Sequence, residues 1–483
     1  MKKAKQLAER FGLGALALAM ALGLAACKKK NPTPSDKTDS ETKEETTAGG
    51  DDNLTPSYSG NTYNYERFRI LMREDAAYVN SMAIEYEDEC RSELDKKVFY
   101  RNRAVEDQLK VTLNFDKKSM EQVHQTVNKM AQNGSNTYGL VINHGRQIFH
   151  EITTDKYLDW NTLPSVNLNA PWWSQNIQKD WTTPSGALYA ANGDISYLSV
   201  GRANCMFFNK DLLAPLPDAD PYQYVEQDEW TFDNFFKLVT DVGATLQADG
   251  GYGYLCQYSR GPVDALLATG YSMVEISKDG DKVSAKVGVD NERAIKAVDR
   301  FAAFLKAGNA KEEANLEAAQ KAFAGGKIAF FDDNVEYATS KYSNLNFGIL
   351  PFPKFDSEVE NYRALLGSGT DTFAIPAAVT DEYRTRIGDV VECLAYNGYL
   401  SVMPFYYETL LQGQAVKDEQ SLKSLQIIHD SLVFDLGEYL NPAGVGDLPK
   451  KVVCGEYSSF SNALEQFRLS GKFETDMAIW LAK

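Results

Sequence analysis

Histidine is scarce in this chain, with four residues in 483. His124, His144, His150 and His429 form no HExxH string and no i,i+4 pair, which excludes a zincin-type metal helix. No GxSxG elbow marks a nucleophilic serine, there is no Walker A string, and Gly251-Tyr252-Gly253 lacks the third glycine and the preceding strand of a nucleotide loop. The six cysteines contain no CxxC pair. Five widely spaced ones remain beyond Cys27 (Cys90, Cys205, Cys256, Cys393 and Cys454), which argues against a disulfide framework or a thiolate zinc site and for buried free thiols. Basic charge is in deficit, 50 Lys and Arg against 67 Asp and Glu. A body this acidic is a poor nucleic-acid binder, because phosphate recognition relies on clustered Lys and Arg. So many acids place carboxylates at glycosidase spacing by chance, and their abundance carries no catalytic message. The acidic strings around Asp279 do not fit an EF-hand loop. Neither metal, cofactor nor enzymatic chemistry is expected, and no internal repeat is present.

What is there begins at the amino end. Lys2, Lys3, Lys5 and Arg10 precede an uncharged stretch from Phe11 to Ala26, the layout of a secretory signal. The stretch is rich in Gly and Ala and shorter than the roughly 20 apolar residues of a membrane span. It ends in Leu24-Ala25-Ala26-Cys27, which resembles the lipobox of bacterial lipoproteins. That resemblance implies removal of residues 1–26 and a fatty-acylated Cys27, hence residence on the outer face of a bacterial membrane. Several acyl chains at about 0.8 kcal/mol per buried methylene anchor permanently, whereas one would be marginal. Residues 27–62 follow with Leu54 and Tyr58 as their only large apolar side chains. Such a segment buries too little surface to offset chain entropy and reads as a tether reaching about 30 Å. The processed chain carries 46 basic and 66 acidic residues, a net −20.

From Tyr63 onward the elements alternate. Arg67–Met72 reads as a strand, Leu94, Val98, Val105 and Leu109 as one helix face, and Val111–Phe115 as a second strand. Ser119 with Gln122 forms a capping box opening a helix whose stripe is Met120, Val123, Val127 and Met130, stopped by Gly134. Gly139–Ile142 is the next strand. Alternation of this kind implies a parallel sheet covered by helices on both faces. Such sheets bind ligands beyond the carboxyl ends of their strands, here Arg73-Glu74-Asp75 and Asn143-His144-Gly145. A second block repeats the grammar. It has a strand at Cys205–Phe208, a helix opened by Thr231, a hairpin turn at Asp279-Gly280 and a helix from Asn291 to Ala307. Another helix runs from about Glu312 to Gly325-Gly326, followed by strands at Ile328–Phe331, Phe347–Leu350 and Thr372–Ile375. The remainder is mostly helical.

Gly193-Asp194-Ile195, Met206 to Leu213, Trp230-Thr231, Val287 to Asn291, Ala322 to Ala329, Gly348 to Pro353 and Ala374-Ile375-Pro376 stand in the order and spacing of family 1 extracellular solute-binding proteins. The body from Tyr63 resembles that family over roughly 300 residues. The resemblance implies an α/β, two-lobed periplasmic-binding-protein-like fold, each lobe a mainly parallel sheet flanked by helices. It assigns 63–190 to the first lobe, 191–325 to the second, 326–378 to a return into the first, and 379–483 to helices packing on both. It further implies a monomer that captures a small solute, a sugar or oligosaccharide, in the inter-lobe cleft and passes it to ABC permease subunits.

Trp172 and Trp173 are the leading candidates for stacking on sugar faces; the alternative places both rings in the first lobe's core. Arg73 and Glu74 follow the first strand. Asp194 and Tyr197 sit by analogy at the lobe crossing, and Asp332, Asp333 and Glu336 after the returning strand, where maltodextrin-binding members carry tryptophan. Tyr457 lies where relatives place aromatic contacts. Two alternatives accompany the sugar reading: a surface-anchored glycoside hydrolase, and the same fold binding a polyamine or other cation through Asp332, Asp333 and Asp371.

Overall fold

The computed structural model describes residues 55–483 apart from 217–218, 258–259, 280–281, 309, 314 and 413–418. The leader, Cys27 and all but the last eight residues of the tether lie outside the described residues. Among the described residues no helix is long and apolar enough to cross a membrane.

The chain enters with strands Glu66–Arg73 (β1), Val111–Lys118 (β2) and Leu140–His144 (β3). The helix Glu93–Leu109 joins the first two, and Met120–Asn133 leads to the third. The capping box forms as expected: Ser119 Oγ accepts from Gln122 N at 3.3 Å, and Gly134 ends the helix with φ of 59°. Val123, Val127 and Met130 are buried, whereas Met120, the first residue of the helix, is 43% exposed.

The second group is Asn204–Asn209 (β4), Tyr252–Gln257 (β5), the hairpin Val274–Asp279 (β6) and Lys282–Val287 (β7), Ala310–Glu313 (β8), Ile328–Asn334 (β9) and Phe347–Leu350 (β10). Ala364–Leu365 (β11), Asp371–Ala374 (β12) and Leu432–Val433 (β13) follow. The first sheet has the order β12-β3-β1-β2 and the second β10-β4-β9-β5-β8. In the first, β1 runs parallel to β2 and β3, with Ile70 opposite both Phe115 and Leu140, and β12 is antiparallel. In the second, β5 runs parallel to β8 and β9, while β4 is antiparallel to its neighbours.

This topology corrects two expectations. The segment near Glu312 forms β8 before its helix, Leu316–Ala324, begins. The return to the first sheet does not start at residue 326: β9 lies between β4 and β5 with all seven residues buried, β10 pairs with β4, and only β12 rejoins β3. Two crossing stretches run side by side and antiparallel, joined by the bridges Ala191↔Phe373 and Ala203↔Leu366. Asn192 Nδ2 donates to the Asp371 carbonyl at 2.7 Å and Thr370 Oγ1 to the Leu198 carbonyl at 3.0 Å.

The C-terminal helices fasten to both sheets' layers. Asp381–Asn397 packs on Glu93–Leu109, Glu419–Asp430 on β10, and Leu448–Val453 on Glu292–Leu305. Cys205, Cys256 and Cys393 are buried free thiols, but Cys90 is half-buried and Cys454 exposed.

Candidate functional site

The carboxyl ends of β1 and β3 deliver Arg73 and His144 to the edge of the first sheet, where the crossing stretch Leu366–Thr370 forms a floor. Arg73 donates from Nε to Asp75 at 2.9 Å and from Nη1 to the Tyr78 hydroxyl at 2.9 Å, with its guanidinium 4.4 Å from the Tyr78 ring centre. Tyr78 in turn donates to the Gly369 carbonyl. From the other crossing stretch, Arg202 sits 5.6 Å from the same ring and pairs with Glu336 at 3.0 Å. Glu336 stands just past β9, so this pair ties the second sheet's edge to a ring held by the first. Tyr197 stacks on Tyr406 at 4.7 Å, and Asp371 accepts from Ser81 at 3.1 Å and from Ser196.

A second set of contacts continues along the floor. Arg146 donates to the Glu438 carbonyl at 2.9 Å and to its Oε2 at 3.2 Å, while Glu438 Oε1 accepts from Ser368 Oγ at 2.6 Å. Arg260, three residues past β5, lies over Gly367, where an added Cβ would come within 2.2 Å of its Nη1. The missing side chain of Gly367 leaves the room that the guanidinium occupies, a close approach that glycine permits.

The electrostatics follow from these neighbours. Burial and then Arg73, with Arg146 and Arg202 behind it, push His144 down to about 4, so its ring is neutral and its Nδ1 accepts from Arg146 N at 3.3 Å. Burial raises Asp371 to about 6 against the pull of Ser196, Ser81 and Arg202. Glu438 ends below the usual carboxylate range: burial works upward, but Arg146, Ser368, Lys450 and Arg260 outweigh it. An acidic chain thus holds a patch rich in guanidinium groups at the junction of its two sheets.

Among the residues singled out from sequence, Arg73, Tyr197, Glu336 and Asp371 are brought together around Tyr78 and Arg202. Glu74 is exposed beside Arg73. Trp172 and Trp173 are corrected to core: they are 0% and 3% exposed, Trp172 packing edge-on to Tyr396 at 5.1 Å and Trp173 to Trp160 at 5.5 Å. Trp173 Nε1 donates to Glu392 at 2.9 Å. Asp332 and Asp333 lie inside β9 and are fully buried. Asp332 accepts from Tyr254 at 2.7 Å and Gln257 N at 2.8 Å, and Asp333 from Gln320 at 2.9 Å and Tyr342 at 2.6 Å. Burial pushes both carboxyls up. With Asp371 held by two serines, no member of that trio faces a cationic solute. Asp194 is half-buried, with His429 as its charged neighbour and burial raising it to about 7. Tyr457 is half-buried on the helical tail, and neither it nor Asp194 joins the cluster.

Tyr78, Arg146, Arg202, Arg260, Ser368 and Glu438 were missed. Only His144 and Arg146 had a local signal, lying at the end of a strand; the rest come from helices and crossings whose placement is tertiary.

No protein-family model and no curated protein matches the sequence. Solved structures do. A cyclo/maltodextrin-binding protein complexed with maltotetraose aligns with a TM-score of 0.55 at 13% identity, covering 84% of this chain and 97% of that one. The chain has a two-lobed, maltose-binding-protein-like fold. The maltose/maltodextrin-binding domain MalE from Bdellovibrio bacteriovorus, bound to maltotriose, aligns at 0.52 and 16% identity over 84% and 98% of the two chains. The GacH receptor of Streptomyces glaucescens, solved unliganded and with acarbose, aligns at 0.55 and 15% identity over 85% and 99%. In this two-lobed fold the Arg73–Tyr78–Arg202–Glu336 cluster occupies the junction of the lobes.

Proposed function

We propose that this chain is a lipid-anchored extracellular solute-binding protein that captures a sugar or oligosaccharide between its lobes and delivers it to an ABC importer permease. The observation that carries this reading is the polar cluster at the lobe junction, to which β1, β3, β5 and β9 all direct residues. The three structural neighbours, solved in complex with maltotetraose, maltotriose and acarbose, support a carbohydrate. They are binding proteins and a receptor, which favours capture over hydrolysis.

The mechanism is a hinge equilibrium. A solute that touches both lobes only when they close shifts the population toward the closed form by its differential affinity. A micromolar solute supplies about 8 kcal/mol, more than the roughly 5.5 that inverts a 1:99 population. In this reading Arg202–Glu336 and Arg73–Tyr78 would respond to that closure, since Glu336 stands just past β9 and Tyr78 rests on the crossing floor. The acyl chains on Cys27 would hold the protein near its permease and raise effective concentration without new contacts.

A thermal-shift screen over mono- and oligosaccharides, amines and inorganic anions tests the reading, because a ligand that binds only the native state raises apparent stability by mass action. Stabilisation by a saccharide that is recovered intact supports it; no saccharide shift, or a cut oligosaccharide, contradicts it.

A further inference from the structure

Of the four guanidinium groups in the cluster, Arg260 is the one with no carboxylate in hydrogen-bonding contact among the described residues, although its charge acts on Asp264 and Glu438. Arg73, Arg146 and Arg202 each have a carboxylate within 3.2 Å. Arg260 makes no side-chain hydrogen bond or ion pair among the described residues, and it is only half-buried. It is nevertheless held in place. Gly367 gives up its side chain to admit the guanidinium, and the peptide of Arg260 is fixed by Arg260 N donating to the Gln257 carbonyl at 3.0 Å. Two residues on, Gly369 has nothing within 4 Å of where its Cβ would stand.

We infer that Arg260 receives the carboxylate of an acidic sugar, and that the solute is a uronic-acid oligosaccharide; this rests on the solute-binding reading above. A guanidinium presents two parallel N–H groups that match a carboxylate bidentately. The nearby acids do not take that role: Glu438 is occupied by Arg146 and Ser368, Glu336 by Arg202, and Asp264, on which Arg260 acts only electrostatically, is buried and accepts from Asn204. The neutral ring of His144 and the depressed Glu438 both report the positive field that an anionic solute would enter. The arrangement is unusual for a chain of net charge −17, whose general field repels anions. A neutral sugar would leave Arg260 without a partner on closure, whereas a uronate completes it.

The test is calorimetric titration of the processed chain with galacturonate, glucuronate and mannuronate trisaccharides, each beside its neutral methyl ester. At least one acid trisaccharide should bind ten times or more tighter than its ester, and added salt should narrow the gap. Arg260→Gln should weaken the acid about 10- to 100-fold and the ester far less, and Arg260→Lys should recover part of the loss. An ester bound as tightly as its acid, or a preference that survives Arg260→Gln, overturns the inference while sugar binding stands. Binding of neutral maltotriose with no binding of any uronate does the same. Failure of every saccharide overturns the parent reading instead. Should Arg260→Gln not fold by circular dichroism, the acid-against-ester comparison on the unaltered chain decides.

Discussion

Asp264 is 1% exposed, and its Oδ2 accepts from Asn204 Nδ2 at 2.5 Å. Burial raises it from 3.8 to about 7, with Arg260 and Asn204 pulling the other way. Below pH 3.8 the folded and unfolded chains both hold this proton, and burying the group costs no ionisation. As pH rises toward 7 the unfolded chain releases it first, so stability falls over that window. Asp264→Asn removes the titration; from pH 5 to pH 8 it should spare the protein on the order of 2–3 kcal/mol of decline relative to the parent. Urea denaturation at the two pH values measures this, and parallel pH profiles would refute it. Trp173 makes a different point. Trp173→Phe keeps most of the ring but leaves Glu392 without its Nε1 donor, which should cost about 1–3 kcal/mol. Its effect on saccharide affinity should stay within about threefold, whereas a stacking role in the site would cost far more.

Among the elements, those whose signals are local could be read directly. The Ser119 capping box, the Gly134 stop and the short apolar strands β1 to β4 need only neighbouring residues, and Ser119→Ala should cost about 1 kcal/mol in chemical unfolding. Elements decided by tertiary pairing were read less well. Nothing local says that β9 continues through Asp332 and Asp333, since two adjacent acids look like a loop; Tyr254, Gln320 and Tyr342 make them tolerable inside a sheet. The site was legible where it follows strand ends, at Arg73 and the His144 loop, and illegible where it depends on crossings. Gly367 tests one such crossing. Gly367→Ala would crowd the far end of a flexible arginine rather than backbone. Melting should therefore change little, while any preference for acidic over neutral saccharide is lost; a large drop in melting temperature with the preference retained would show that the glycine serves the fold alone.

At the scale of the whole molecule, two sheets are joined by paired crossing stretches, and the proposed function adds a lipid anchor at Cys27. Cys27→Ser should leave the protein unprocessed or released from the membrane fraction without altering saccharide affinity, as fractionation with calorimetry would show. The central claim is capture between lobes, and isothermal titration across neutral and acidic oligosaccharides tests it most directly. One-to-one binding at micromolar affinity or tighter is expected, weakened at least tenfold by Arg73→Ala. Flat heats for every saccharide, or binding untouched by loss of Arg73, would contradict it.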